Sequence, residues 1–134
     1  MKTTEHTTAL FTDIGMLLKT RLQRGLPLPL SQCQTLWFVA SREKPTMRDV
    51  AEHFKITAPS ATFLVEELAR SGLIERHANA KDRRKIELAL TKKGRSIYKR
   101  ASEKRSQVLH RMFEKLSERE RADLNRLLTK VLSH

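Results

Sequence analysis

Cysteine occurs once in the 134 residues, at Cys33, which excludes an internal disulfide framework and suits a reducing compartment. Long apolar runs are missing too: the longest is Leu36–Ala40, far short of the roughly 20 residues a membrane helix needs. No membrane partner is expected. The N-terminal "MKTTEHTTALFTDIGMLLKT" carries acids and threonines where a secretory signal needs an apolar block, so a cytoplasmic location is the expectation. Only four glycines are present, far apart, and none builds a phosphate-cradling loop. The five histidines, at 6, 53, 77, 110 and 134, stand in no spaced carboxylate or cysteine set. His53 and His110 read as ordinary helix residues. Neither an enzyme, a metal site nor a cofactor is expected.

What remains is an ordered, helix-rich chain that suits one domain. Apolar residues make up 39% of it and aromatics 5%, against 31% charged, which is too apolar for a disordered chain. The formal net charge is +12, and its placement matters more than its size. Residues 75–105 alone carry twelve basic and four acidic side chains, whereas residues 31–74 carry five of each. Such concentration points to a polyanion, nucleic acid before a membrane surface, with a merely solubilising surface as the plain alternative.

Hydrophobic periodicity orders the chain. A first helix from about Thr4 to Gly25 carries Leu10, Ile14, Leu17, Leu18 and Leu22. Gly15 inside it is unfavourable, so the close approach of another helix is expected there. Pro27 and Pro29 make "LPLPL" an extended connector. Ser31 and Gln34 read as the capping box of a second helix. Thr46 caps a short third helix, "MRDVAEHF", and "KIT" is a tight turn. Thr57 caps a fourth helix, residues 58–71, with Pro59 in its first turn, Ala61, Leu64, Val65 and Leu68 inward, and Gly72 as terminator.

"LIERH" and "KIELAL" then alternate as two strands around the loop "ANAKDRR", with Ile86, Leu88 and Leu90 expected to pin the return strand to the core. Thr91 starts a long fifth helix, and Ser117 with Glu120 caps a sixth. The fold class is therefore mainly α with a small β-hairpin. Residues 31–91 form a winged helix–turn–helix unit, and 1–25 and 92–134 form flanking helices. The apolar stripes of those flanks exceed what one chain covers, so a homodimer is expected. An ordinary helical hairpin is the alternative for the helix pair alone; the basic hairpin behind it favours the winged, DNA-binding form.

The stretch "MRDVAEHFKITAPSATFLVEELARSGLIERHANAKDRRKIELALTKKG" closely resembles MarR-family bacterial transcription regulators, above all in "IT.PS.T..V..L...GLI.R" and "DRR...L.LT.KG". The flanking helices are similar to that family's dimerisation region. The resemblance implies double-stranded DNA as partner, a winged helix–turn–helix dimer, and a small-molecule effector in a cleft between the dimer helices and the winged region, lined by Trp37 and Met16. It also implies that Arg84 goes to the minor groove while Asp82 braces the wing. A bidentate Asp82 pair with a neighbouring guanidinium fits an acid in a basic loop.

Lys81, Arg83, Lys85 and Arg76 read as phosphate contacts, or as solvated surface charge. On the fourth helix, Ser60 and Thr62 can hydrogen-bond bases or phosphates, and Ala58 and Pro59 can touch thymine methyls. Family members often carry a basic residue where Ala58 stands and arginine where Phe63 stands. Here Phe63 is either a base contact or turned toward the interior, the interior being favoured. Arg70 is the helix's only basic side chain, and Glu66 and Glu67 should face away from phosphate or discriminate through cytosine. Cys33, as second residue of its helix, would have its thiolate favoured there, which leaves a redox role as the alternative; the default is an inert or partly buried thiol. The leading reading is a ligand-responsive, sequence-specific repressor of transcription on a pseudo-palindromic operator. The rival is a winged-helix protein adaptor or a non-sequence-specific nucleoid binder.

Overall fold

The computed structural model describes residues 1–133, ordered as α1 (Lys2–Gln23), α2 (Leu30–Ser41), α3 (Met47–Phe54), α4 (Ala58–Arg70), β1 (Ile74–Ala78), β2 (Ile86–Leu90), α5 (Lys92–Phe113) and α6 (Glu118–Leu132). Local chemistry fixes most boundaries. Thr46 and Ser117 close reciprocal capping boxes with Asp49 and Glu120, and Thr57 and Thr91 accept from the amides of Ser60 and Gly94. Gly72, at φ +76°, ends α4 as expected. Its N–H bonds to the Ala69 carbonyl, and the Leu73 N–H reaches back to Leu68.

The start of α2 differs from expectation. Pro29 occupies the N-cap and the helix begins at Leu30, so Ser31 already lies inside it and forms no box with Gln34. With φ fixed at −52°, Pro29 needs no amide partner and starts the helix by itself.

The core sits in the winged unit. Leu36, Phe38 and Val39 of α2, Val50 of α3, and Ala61, Val65 and Leu68 of α4 close on Leu73, Ile74 and Leu88 of the hairpin. The hairpin is antiparallel with Ile74 opposite Leu90 and Ala78 opposite Ile86. A third segment joins it, through a bridge from Thr46 to Glu87 and the Leu88 N–H bonding to the Pro45 carbonyl. The wing is thereby tied to the start of α3. Leu88 is buried and Leu90 half-buried, but Ile86 is exposed. It lies one residue pair beyond the edge of the core, so it does not pin the strand.

One joint holds α4, the wing and α5 together. The Thr91 hydroxyl donates to the Gly72 carbonyl at 2.6 Å, and the Thr91 N–H bonds to the Leu73 carbonyl. Gly94 is packed so closely that a Cβ there would stand 2.0 Å from the Leu73 oxygen. A side chain has no place at this crossing.

The flanking helices are unlike the core. α6 buries none of its described residues, and α1 buries only Leu22. Leu10, Phe11, Ile14 and Leu17 are exposed on α1, as are Leu127 and Val131 on α6. Nothing lies within 4 Å of a Cβ built on Gly15, so among the described residues no helix makes the close approach expected there.

Candidate nucleic-acid interface

Three residues separate α3 from α4. Lys55 adopts the left-handed conformation at φ 55°, and the Ile56 N–H returns to the Ala51 carbonyl. This turn sets α4 across α3 with its N-terminus at the surface. Along α4, Ala61, Val65 and Leu68 point inward, so helical spacing puts Pro59, Phe63, Glu66 and Arg70 on the opposite line. The structure overturns the favoured reading of Phe63: its side chain is not in the interior but 64% exposed. Ala58, Pro59 and Ser60 are exposed as well, and Thr62 is half-buried.

The charged residues of this face are mutually engaged. Arg70 Nη1 lies 3.0 Å from Glu67, and Arg76 Nη1 on β1 lies 3.7 Å from Glu66. Both acids are thus held beside cations of the same face. Either arginine must loosen its partner to reach a phosphate.

The wing tip is a tight turn from Asp82 to Lys85, closed by the Lys85 N–H on the Asp82 carbonyl at 3.0 Å. Arg83 and Arg84 occupy its two corners, and aspartate suits the first position of such a turn. Asp82 braces the turn differently from expectation. No bidentate pair forms; Asp82 Oδ1 accepts the Arg84 backbone N–H at 3.1 Å, while the Arg84 Nε is 3.6 Å away. The acid fixes the peptide and leaves the Arg84 side chain 95% exposed. Lys81, Arg83 and Lys85 are exposed beside it.

Asn79 was not singled out from the sequence, yet it organises this tip. Its Oδ1 accepts the N–H groups of Lys81 at 2.8 Å and Asp82 at 3.0 Å, and its amide donates to Glu87 on β2. The Asn79 N–H also bonds to the Lys85 carbonyl. An asparagine three residues before Asp82 is a turn signal in its own right.

Between the wing and the helix pair lies an open groove of about 750 Å³, with Met47, Ala58, Thr62, Arg84, Lys85 and Ile86 on its walls together with the acids Asp49, Glu52 and Asp82. The α4 N-terminus and the wing cations therefore border one continuous surface. A smaller cavity of about 380 Å³ sits between α2, α3 and α5, lined by Trp37, His53, Tyr98 and Arg105 among others. Trp37 donates its indole N–H to Ser102 Oγ at 3.1 Å, and the Arg105 guanidinium stacks 4.2 Å over its ring. Met16, expected beside Trp37, does not line this cavity; it is exposed on α1.

Cys33 is the fourth residue of α2, fully buried, with its thiol 3.5 Å from the Leu28 carbonyl. Burial pushes the thiol pKa up, only partly offset by that contact, so the thiolate anticipated at a helix start is disfavoured. Among the described residues no group of His, Cys, Asp and Glu could hold a metal ion, and no helix is long and apolar enough to cross a membrane.

Comparison with known proteins follows the same lines. A family model described as "MarR family" matches residues 25–85. The transcriptional regulator BilQ of Clostridium symbiosum is 31% identical over 130 residues, covering 94% of this chain and 87% of that one. The transcriptional repressor MprA of Escherichia coli is 34% identical over 74 residues, or 55% of this chain. Against the first two curated relatives the match spans only 62% and 42% of their length. Among solved structures, the Staphylococcus aureus MepR–DNA complex superposes with a TM-score of 0.81 at 25% identity, covering 93% of this chain and 95% of that one.

Proposed function

The chain belongs to the MarR family of transcriptional regulators, and from that premise we propose that it is a sequence-specific repressor that binds double-stranded DNA as a homodimer. One observation carries the reading. The exposed N-terminal end of α4, through Ala58 and Thr62, and the braced wing turn, through Arg84 and Lys85, border the same groove, an arrangement that suits a major-groove helix beside a backbone-following wing. α4 enters the major groove, where Ala58, Pro59, Ser60, Thr62 and Phe63 meet base edges. Arg84 enters the minor groove, whose negative potential favours a planar cation. Lys81, Arg83 and Lys85 contact phosphates, and Arg70 and Arg76 join them when Glu67 and Glu66 release them.

Dimerisation is supported by the exposed apolar stripes of α1 and α6. Two α4 helices related by a twofold axis read a pseudo-palindrome with half-sites about one turn, roughly 10 bp, apart. The Trp37 cavity, with Arg105 against the indole, suits an apolar or phenolic anion as effector.

The test is a titration against duplexes selected from a random pool and against scrambled ones, at several salt concentrations. The regulator keeps a preference for selected duplexes at every salt concentration. Equal, steeply salt-dependent curves would instead identify a non-specific nucleoid binder, and no binding at moderate salt an adaptor.

A further inference from the structure

The large apolar side chains exposed on this chain fall into two groups. Leu10, Phe11, Ile14, Met16, Leu17, Leu127, Val131 and Leu132 lie on α1 and α6, with Met1 at the terminus, and the homodimer proposed above would cover them. Within the winged unit, Phe63 and Ile86 are the exposed pair among the described residues. Phe63 stands on the outermost line of α4, four residues after Pro59, and both belong to the N-terminal half that approaches base edges in a helix–turn–helix. The polar members of that line, Glu66 and Arg70, lie farther along, and the acids of this face are paired with Arg70 and Arg76. The end of α4 that meets the bases therefore presents no free cation and no amide side chain. It offers carbon, flanked by the hydroxyls of Ser60 and Thr62.

The geometry points to thymine-methyl recognition by Phe63, with Pro59 and Ala58, as the main source of sequence preference at each half-site. Guanine is read by bidentate Arg or Lys and adenine by Asn or Gln, and α4 offers neither type at its N-terminal end. The C5-methyl of thymine is the one apolar group in the major groove, and an exposed phenyl ring gains from covering it. Phe63 thus contributes what a base-reading arginine contributes elsewhere, by contact rather than by hydrogen bond. The inference rests on the DNA-binding reading above.

Deoxyuridine provides the test, because it removes the methyl and leaves the pairing edge unchanged. A duplex selected from a randomised pool is remade with deoxyuridine at each thymine in turn, and binding is measured for the wild type, Phe63→Ala and Phe63→Leu. Wild-type affinity is expected to fall roughly fourfold for each methyl that Phe63 covers, the value of one buried methylene-sized group. Phe63→Ala binds the thymine duplex more weakly and is indifferent to the replacement at the thymines that Phe63 covers; Phe63→Leu keeps part of the response there. As the ring is exposed, both variants fold. Specific binding that ignores every methyl would overturn the inference and leave the DNA-binding reading standing. A pool from which no preferred sequence emerges would overturn both.

Discussion

The Asn79 side-chain amide donates to the Glu87 carboxylate across the base of the wing, while its oxygen holds the amides of Lys81 and Asp82. Asn79→Ala frees both amides, each worth about 0.5–1.5 kcal/mol net. Affinity for a selected duplex should fall about tenfold, with faster amide exchange confined to residues 81–85. Asn79→Asp sets a carboxylate against Glu87 and loses affinity too. Adding Glu87→Gln restores a donor and should recover most of it.

Asp82 and Arg84 separate charge from shape. Arg84→Ala should cost tenfold or more in affinity and flatten the salt dependence by about one ion, as for a lost phosphate-proximal cation. Asp82→Ala makes the wing more positive, and simple electrostatics would have it bind more tightly. Because Asp82 holds the Arg84 peptide at 3.1 Å, weaker binding is expected instead, checked by titration at two salt concentrations.

On α1, Leu10, Ile14 and Leu17 follow i, i+4, i+7 and are all exposed in the protomer. Ile14→Glu places a charge in the middle of that stripe. Sedimentation at micromolar concentration should show a dimer for the wild type and a monomer for the variant. Helical circular dichroism should persist, since the core lies in residues 36–88.

Cys33 titrates in a definite direction. Its pKa is raised above the ordinary value of 9.0, so the stability tied to the protonated thiol is complete below that value and lost as pH rises through the folded one. Native protein should resist iodoacetamide at pH 8, whereas urea-unfolded protein reacts at once. Mild peroxide should leave duplex binding unchanged.

Helix starts and stops were legible because their chemistry is local. Thr46, Thr57, Thr91 and Ser117 each lie three residues from the amide they accept, and Gly72 needs only its own dihedral angle. Ser31 looked the same but lost to Pro29, whose ring already held the helical entry angle. Outcomes that depend on distant packing were harder to read. Phe63 looked like core by residue type, yet Ala61, Val65 and Leu68 already fill the inward face. Ile86 kept the strand period but lies past the last core layer. The resemblance implies that Asp82 is a brace, although its object is a peptide N–H, which no side-chain pattern records.

The joint at Thr91 has a mechanical consequence. With Gly94 against the Leu73 carbonyl and Thr91 bonded to Gly72, the end of α4, the root of the wing and the first turn of α5 cannot swivel independently. The winged unit and the first turn of α5 are thus tied together, and the rest of α5 extends from that joint as a lever arm. Any movement of the winged unit against the flanking helices must be absorbed elsewhere, along α5 beyond that first turn or in the Leu26–Pro29 connector. The Trp37 cavity lies where α2 meets α5, so its shape changes with the position of that arm.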